Sequence, residues 1–492
     1  MDSPTLPDSP TTVGRVILRN TLFITLGSFA LKALNFLFSV FVVRQLGDDR
    51  FGQFNIVTAW VGLFSIFAEW GISQYTMREM ARDRSQTQLL FWNLLAIRLV
   101  LALLGIVGIT LGAMIVGYSP EIVMGVLFYT FTFVLAAVQI AFETILIAHE
   151  RFDYVTALQV VGQVAYILLA GAVLWLNLGL VPFIATGLLA MLPPIFIALW
   201  LTRRHAWVIG KPQWQPARWP AMLRGGAPFA IISLTLTIAF SIDTVMLSWT
   251  VSESQVGWYN VAYGVVRALV SFLGAFSMAM VPSLTRVYAT DPALVEQWYY
   301  RSVKFICLLT LPSALGCALI AFPLFGFLYE PSTMPAALVI QVIIWDLPLL
   351  MFTSFCGNMT TVIGAEDEAV RIYGLNAIAN IILNLYAIPR YGIIGAAFVT
   401  VITDLVGLLQ FHFSLNRRMR LPDIRSMLVR IGIATVIMGV SVFWAIPYVH
   451  FGVLIIIGGL VYGVAVLVLQ LLDQSEKALL QRLWSDFVKQ RV

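Results

Sequence analysis

Residues 40–64, VFVVRQLGDDRFGQFNIVTAWVGLF, and residues 245–269, VMLSWTVSESQVGWYNVAYGVVRAL, decide how this chain is built. Slid by 205 positions, Gly52 meets Gly257, Phe54 meets Tyr259 and Asn55 meets Asn260. Each stretch is apolar at its two ends and polar in the middle. Each therefore reads as the end of one membrane-crossing helix, a short loop, and the start of the next. IAHERFDYV at 147–155 likewise resembles IGAEDEAVR at 363–371, with Glu150 opposite Glu366. The chain repeats itself in two halves of about six helices each. Six is even, so both halves share one orientation, as in a parallel repeat about an axis along the membrane normal.

The rest of the chain agrees. Of 492 residues, 60% are hydrophobic and 11% charged, against about 25% charged in soluble domains. Mean hydropathy is +0.89, so the solvent for this fold is a bilayer. Apolar runs of spanning length place helices at about 22–43, 51–73, 89–112, 122–147, 156–177, 181–202, 226–249, 256–280, 303–322, 336–360, 372–388, 393–416, 427–447 and 452–472. The expected fold is all-α, a polytopic membrane protein of about fourteen helices. Its layout is a disordered or interfacial N-terminus (1–20), a first six-helix bundle (21–202), a cytoplasmic linker (203–225), a second bundle (226–416), helices 13 and 14 (417–472) and a cytoplasmic tail (473–492).

Lys and Arg fix the expected orientation, because short cytoplasmic loops are enriched in them. With the N-terminus inside, 24 of the 30 fall in inner segments, three (Arg44, Arg50, Arg390) in outer loops and three (Lys32, Arg98, Arg267) within spans. Both termini are then cytoplasmic. The basic, tryptophan-bearing linker suits the inner headgroup layer. Cys307, Cys317 and Cys356 all fall in apolar runs and form neither a disulfide framework nor a metal site. The opening Pro/Ser/Thr-rich residues lack the basic region of a cleavable signal.

Polar residues inside spans are costly and usually face a bundle interior or wet cavity. Helix 1 carries Thr25, Ser28, Lys32, Asn35 and Ser39 on one face; helix 7 carries Ser233, Thr237, Ser241, Thr244 and Ser248, with Asp243 adjoining. Helix 8 adds Asn260, Tyr263, Arg267, Ser271 and Gly274, and helix 2 Asn55, Thr58, Ser65 and Glu69. Two bundles facing across a polar cleft account for all four stripes. Small polar residues also pack helices together, so the Ser and Thr positions alone leave that reading open. Lys32 and Arg267 favour the cleft, since each sits about ten residues deep, where snorkelling is difficult; Arg98 fits either reading. Asp243 could pair structurally with Arg267, or join Asp346 and Asp404 in carrying a coupling proton or ion. No Gly-rich phosphate loop or HExxH occurs, and the four histidines are scattered. A transporter without cofactor or metal is expected, not an enzyme. A non-transporting scaffold would have no reason to line a cleft.

RQLGDDRFGQF, GISQYTMREMAR, SIDTVMLSWTVSESQVGWYNVAYGVVRAL and NLYAIPRYGIIGAAFVTVITD, in this order and spacing, resemble the polysaccharide transporter (O-antigen flippase) family of the multidrug/oligosaccharidyl-lipid/polysaccharide exporter superfamily. The resemblance covers nearly the whole chain. It implies a V-shaped pair of six-helix bundles that alternate in access, in the inner (plasma) membrane. It implies that a polyprenyl-diphosphate-linked oligosaccharide moves to the outer leaflet. Membrane lipids, a polysaccharide polymerase and glycosyltransferases are the partners it implies; nucleic acid is not. Lys32, Arg98 and Arg267 would meet the diphosphate, and Asn35, Asn260, Asn376, Asn380 and Gln341 the sugars. Two relatives compete: lipid II flippases, which keep more arginines in the first half's cleft, and multidrug antiporters, whose cavities centre on acids.

Overall fold

A computed structural model describes residues 10–205, 207, 211–290, 292–419, 421–474 and 476. Side chains are described from Lys32 onward, except at 232, 236, 239–240, 274–287, 289–290 and 292–294. The expected roles of residues 1–9, of the Thr25, Ser28 and Gly274 side chains, and of the tail from 477 lie outside that set.

No strand occurs among the described residues. The chain runs through α1 (Pro10–Glu69), α2 (Ile72–Arg82), α3 (Thr87–Val116), α4 (Pro120–Thr130), α5 (Thr132–Ala148), α6 (Phe152–Trp175), α7 (Leu180–Ala190) and α8 (Leu192–Arg204). It continues through α9 (Trp219–Ser248), α10 (Glu253–Thr290), α11 (Pro292–Leu319), α12 (Ala321–Leu328), α13 (Ala336–Ile343) and α14 (Asp346–Val362). The last three are α15 (Glu366–Arg418), α16 (Arg425–Ala445) and α17 (Phe451–Val468). The protein is a polytopic all-α membrane protein.

Among the described residues, ten helical stretches are long and apolar enough to cross a membrane, or eleven if α13 and α14, bent by 41°, count as one broken span. Two stretches are too long for a single crossing. Lys32–Arg82 has 51 residues and Glu366–Arg418 has 53, about 77 Å of helix at 1.5 Å per residue against a hydrocarbon core of about 30 Å. Each has a glycine outside helical geometry within a long helix, Gly47 at φ 72° in α1 and Gly392 at φ 56° in α15, and Gly71 at φ 64° separates α1 from α2. Only glycine enters that left-handed region without a Cβ penalty, so the chain turns at these points. Gly47 and Gly392 lie in gaps between expected spans, 43–51 and 388–393.

One expectation is corrected. Residues 10–20 are helical, not disordered, and α1 starts at Pro10 rather than near 22. Proline suits a first helical position, where its missing N–H is unneeded and its φ is already set. α9 also begins early, at Trp219 inside the expected linker.

The bilayer shows in what is exposed. Leu103, Leu104, Val107 and Leu111 leave one side of α3 bare, while Asn93, Arg98 and Thr110 are buried on it. The two halves touch at their repeat-related positions. A Cβ on Gly52 would lie 1.8 Å from the Glu253 carbonyl oxygen, and one on Gly257 would lie 2.6 Å from that of Asp48. The shift of 205 relates Gly52 to Gly257 and Asp48 to Glu253, so the contact is reciprocal, as across a two-fold axis. Hydrogen bonds reinforce it: Gln53 Nε2 donates to Glu253 Oε2 at 2.7 Å, Ser254 Oγ to Asp49 Oδ1 at 2.5 Å and Thr333 Oγ1 to Asp48 Oδ1 at 2.6 Å. Arg44, at this same arginine-poor end, donates from Nε to the Leu328 carbonyl at 2.6 Å.

Candidate functional site: a polar seam between α1 and α10

α1 packs along both α9 and α10, which puts the polar stripes of the two halves against each other. Lys32 is half-buried, and its Nζ donates to the backbone carbonyl of Ser271. Ser271 is one helical turn beyond Arg267 on α10. The two deep cations that sequence singled out therefore lie near one level of the same seam, one from each half. Arg267 is exposed, and its guanidinium stands 4.5 Å above the ring of Tyr263, itself buried at 4% exposure. A cation over an aromatic face gains favourable electrostatics from the ring.

Asn35, one turn from Lys32, is exposed, and its Oδ1 accepts from Gln163 Nε2 of α6 at 2.6 Å. This places an amide pair on the first half's side of the seam.

Arg98 is elsewhere. It is 4% exposed, donates from Nη1 to Ser73 Oγ at 2.7 Å and lies 3.8 Å from Glu69 Oε1. It joins α3 to the α1–α2 corner inside the first half. Gln341 donates to the Ala318 carbonyl at 3.2 Å, within the second half. Asn376 packs against the backbone of Gly407, where a Cβ would lie 2.0 Å from its Nδ2. Asn260 is spent between the Val256 carbonyl (3.0 Å) and the Thr244 hydroxyl (3.2 Å).

Asp243 forms the centre of a second polar group. Its Oδ1 accepts from Asn384 Nδ2 at 2.8 Å, and its Oδ2 from Thr400 Oγ1 at 2.8 Å and Tyr259 OH at 2.9 Å. Asn384 Nδ2 also reaches Asn380 Oδ1 at 3.0 Å. Three helices, α9, α10 and α15, are tied through this one carboxyl. Tyr259, Asn384 and Thr400 were absent from the sequence expectation. The i, i+4 spacing of Asn380 and Asn384 is a signal that could have found the second asparagine; nothing local marks Thr400. Asp346, at 0% exposure, and half-buried Asp404 lie on α14 and α15, which pack together, and neither carboxyl oxygen of Asp346 has a hydrogen-bond partner among the described residues.

The model of a family described as polysaccharide biosynthesis protein matches residues 17–288, more than half of the chain. The chain belongs to that family. Among curated relatives, the probable flippase AglR of Haloferax volcanii is 27% identical over 170 residues, 34% of this chain and 36% of the relative. The chain thus matches little more than a third of that relative's length. The probable low-salt glycan biosynthesis flippase Agl15 of the same organism is 21% identical over 407 residues, covering 81% of this chain and 83% of the relative. Among solved structures, the lipid II flippase MurJ in its inward closed conformation superposes with a TM-score of 0.75 at 15% identity, covering 90% of this chain and 96% of that one. An inward-facing multidrug resistance MATE transporter reaches 0.64 at 17% identity, covering 79% and 95%. At these identities the structures establish a shared fold.

Proposed function

We propose that this protein is a flippase that moves a lipid-diphosphate-linked oligosaccharide across the membrane by alternating access. One observation carries the reading: across the seam between the halves, Lys32 reaches the Ser271 carbonyl, one helical turn from Arg267. A diphosphate passing this level sheds hydration, and an unpaired anion in an apolar medium is strongly disfavoured. Two fixed cations offset that cost, Arg267 with a planar fork suited to phosphate oxygens and Lys32 as a point charge. Asn35 and Gln163 beside them offer amide groups to sugar hydroxyls.

The moving parts are the two six-helix halves, 21–202 and 226–416, in which the chain turns between successive crossings at Gly47 and Gly392. The arginine-rich loops face the cytoplasm, as the loop bias of Lys and Arg requires. The substrate class draws support from the family and from the printed roles of the Haloferax relatives. The lipid II reading draws its own support from the fold shared with MurJ. A lipid II headgroup carries the same diphosphate, so one assay separates the two.

Purified protein in vesicles should move a labelled polyprenyl-diphosphate oligosaccharide between leaflets and leave a neutral glycolipid in place. Preference for lipid II would select the second reading, and equal movement of the neutral lipid would end both. Alternating access has its own check. Asp49→Cys with Ser254→Cys should cross-link across the reciprocal seam and halt movement until reductant is added; the three native cysteines are buried. Movement that continues in the cross-linked protein would rule out opening at this seam.

A further inference from the structure

We propose that the last two turns of α8 bind one anionic phospholipid of the bilayer, with its phosphate at Arg203 and Arg204 and its acyl chains along Phe196 and Trp200. The spanning stretch Leu180–Arg204 has 25 residues, about 37 Å of helix against a hydrocarbon core of about 30 Å. The two arginines are its last residues and so emerge among the headgroups. Phe196, Leu199, Trp200, Arg203 and Arg204 follow the i, i+3, i+4, i+7, i+8 spacing of one helix face. They line a surface concavity of about 410 Å³. Phe196 is 65% exposed, Trp200 is 56% exposed, and both arginines are exposed. The Arg204 guanidinium stands 5.1 Å from the centre of the Trp200 ring, which draws it back over the apolar part of the face. Apolar at one end and cationic at the other, the concavity has the layout of a phospholipid.

Two cations lining one concavity repel, and the chain supplies no anion to offset them. No Asp or Glu occurs between Asp153 and Asp243, a stretch that holds Arg203, Arg204, Lys211, Arg218 and Arg224. α8 packs against α5 and α6, but the acids of those helices and their corner are engaged elsewhere. Glu150 lies 3.7 Å from Arg84 and Asp153 lies 2.8 Å from Arg151, while Glu143 accepts from Gln139 Nε2 at 2.8 Å. Among the described residues, no carboxylate pairs with Arg203 or Arg204. A phosphate supplies the missing charge, and its oxygens match the guanidinium fork.

The occupant is a resident lipid rather than cargo. The site lies on α8, whereas the seam is built from α1, α9 and α10, so the site stands whatever the protein transports. Its place gives it a consequence. The Trp207 N–H donates to the Thr202 carbonyl at 3.1 Å, and the Trp207 ring stacks on His149 at 4.6 Å and on His205 at 4.7 Å. A headgroup held by Arg203 and Arg204 therefore sits where the linker between the halves leaves the first bundle.

Native mass spectrometry of the purified full-length protein tests the site, with phosphatidylglycerol and phosphatidylcholine of the same acyl chains as probes. Wild type should bind phosphatidylglycerol more tightly. Arg203→Ala with Arg204→Ala should weaken phosphatidylglycerol about thirtyfold, the contribution of two basic residues at an anionic surface, and leave phosphatidylcholine unchanged. Arg203→Gln with Arg204→Gln, which removes the charges but keeps polar side chains, should lose as much and decides the matter if the alanine pair fails to fold. Arg203→Lys with Arg204→Lys should keep most of the binding, because the charge remains. Lys211→Ala with Arg218→Ala, an equal loss of charge in the linker, should leave the tightest phosphatidylglycerol in place. Neutral pairs at 203 and 204 that bind like wild type, or a linker pair that loses as much as they do, would overturn the site. Equal wild-type affinity for the two lipids would overturn it as well. A polyprenyl diphosphate that displaces phosphatidylglycerol from wild type at lower concentration than phosphatidylglycerol itself would make the occupant cargo and overturn the assignment to a resident lipid.

Discussion

Arg98 and Arg267 are both arginines about ten residues inside an apolar span, yet the fold treats them in opposite ways. Arg98 is enclosed in the first half, with Ser73 and Glu69 as partners. Arg267 stands exposed on Tyr263, near the level of Lys32 from the other half. Depth in the membrane made both costly, but only one was left exposed where the two halves meet. A charge that braces helices and a charge that greets an anion differ in what surrounds them, not in where they fall along the chain.

The largest expected effect falls on Arg267. Arg267→Ala should lower translocation per folded molecule by about a hundredfold, the roughly 3 kcal/mol typical of losing one charged partner in a desolvated contact. Arg267→Lys should restore part of it, since the charge returns without the fork. Arg98→Ala should leave the per-molecule rate near wild type and instead cost about 2–3 kcal/mol of stability, read as the thermal midpoint in detergent. That is below the range for breaking a fully buried pair because Glu69 is partly exposed. If Arg98→Ala slows each molecule as much as Arg267→Ala does, the contrast between the two arginines fails.

A smaller effect sharpens the same contrast at Asp243. Asn384→Ala should destabilise by about 1–3 kcal/mol, because it strips one donor from a buried carboxyl. Adding Asp243→Asn should recover part of the loss. A double variant less stable than the single would mean the carboxyl is not what the asparagine serves.

The smallest effect belongs to an acid in water. The Ser85 and Gln86 side chains, with the Ser85 backbone, donate to Asp83 and hold its carboxyl below the usual carboxylate range. Its contribution is therefore present above the unfolded value and lost as pH falls through the lower folded one. Asp83→Asn should lower the thermal midpoint only slightly near neutral pH, because the group is solvent-screened. A clear drop there would show that exposure does not predict which charges matter in this protein.

The membrane class, the places where most spans fall and the relation between the halves were legible in the sequence. Each is written in local quantities: the length of an apolar run, the distribution of Lys and Arg, and the shift that maps Gly52 onto Gly257. The seam was half legible. Lys32 and Arg267 stood out because a cation deep in lipid is rare, whereas Tyr259, Asn384 and Thr400 look like ordinary helix residues until α9, α10 and α15 bring them around Asp243. Residues 10–20 misled through composition: Pro, Ser and Thr suggested a loose lead, but Pro10 begins a helix.

By itself, the sequence determined which solvent the chain needs, how its polar stripes run along each helix, and that it has two related halves. Only the tertiary structure decided which stripes face each other, that Arg98 is enclosed and Arg267 is not, and that one carboxyl, Asp243, ties α9, α10 and α15 together. Periodicity fixes the face on which a residue lies. What that face meets depends on packing between helices far apart in the chain, and no local pattern encodes it.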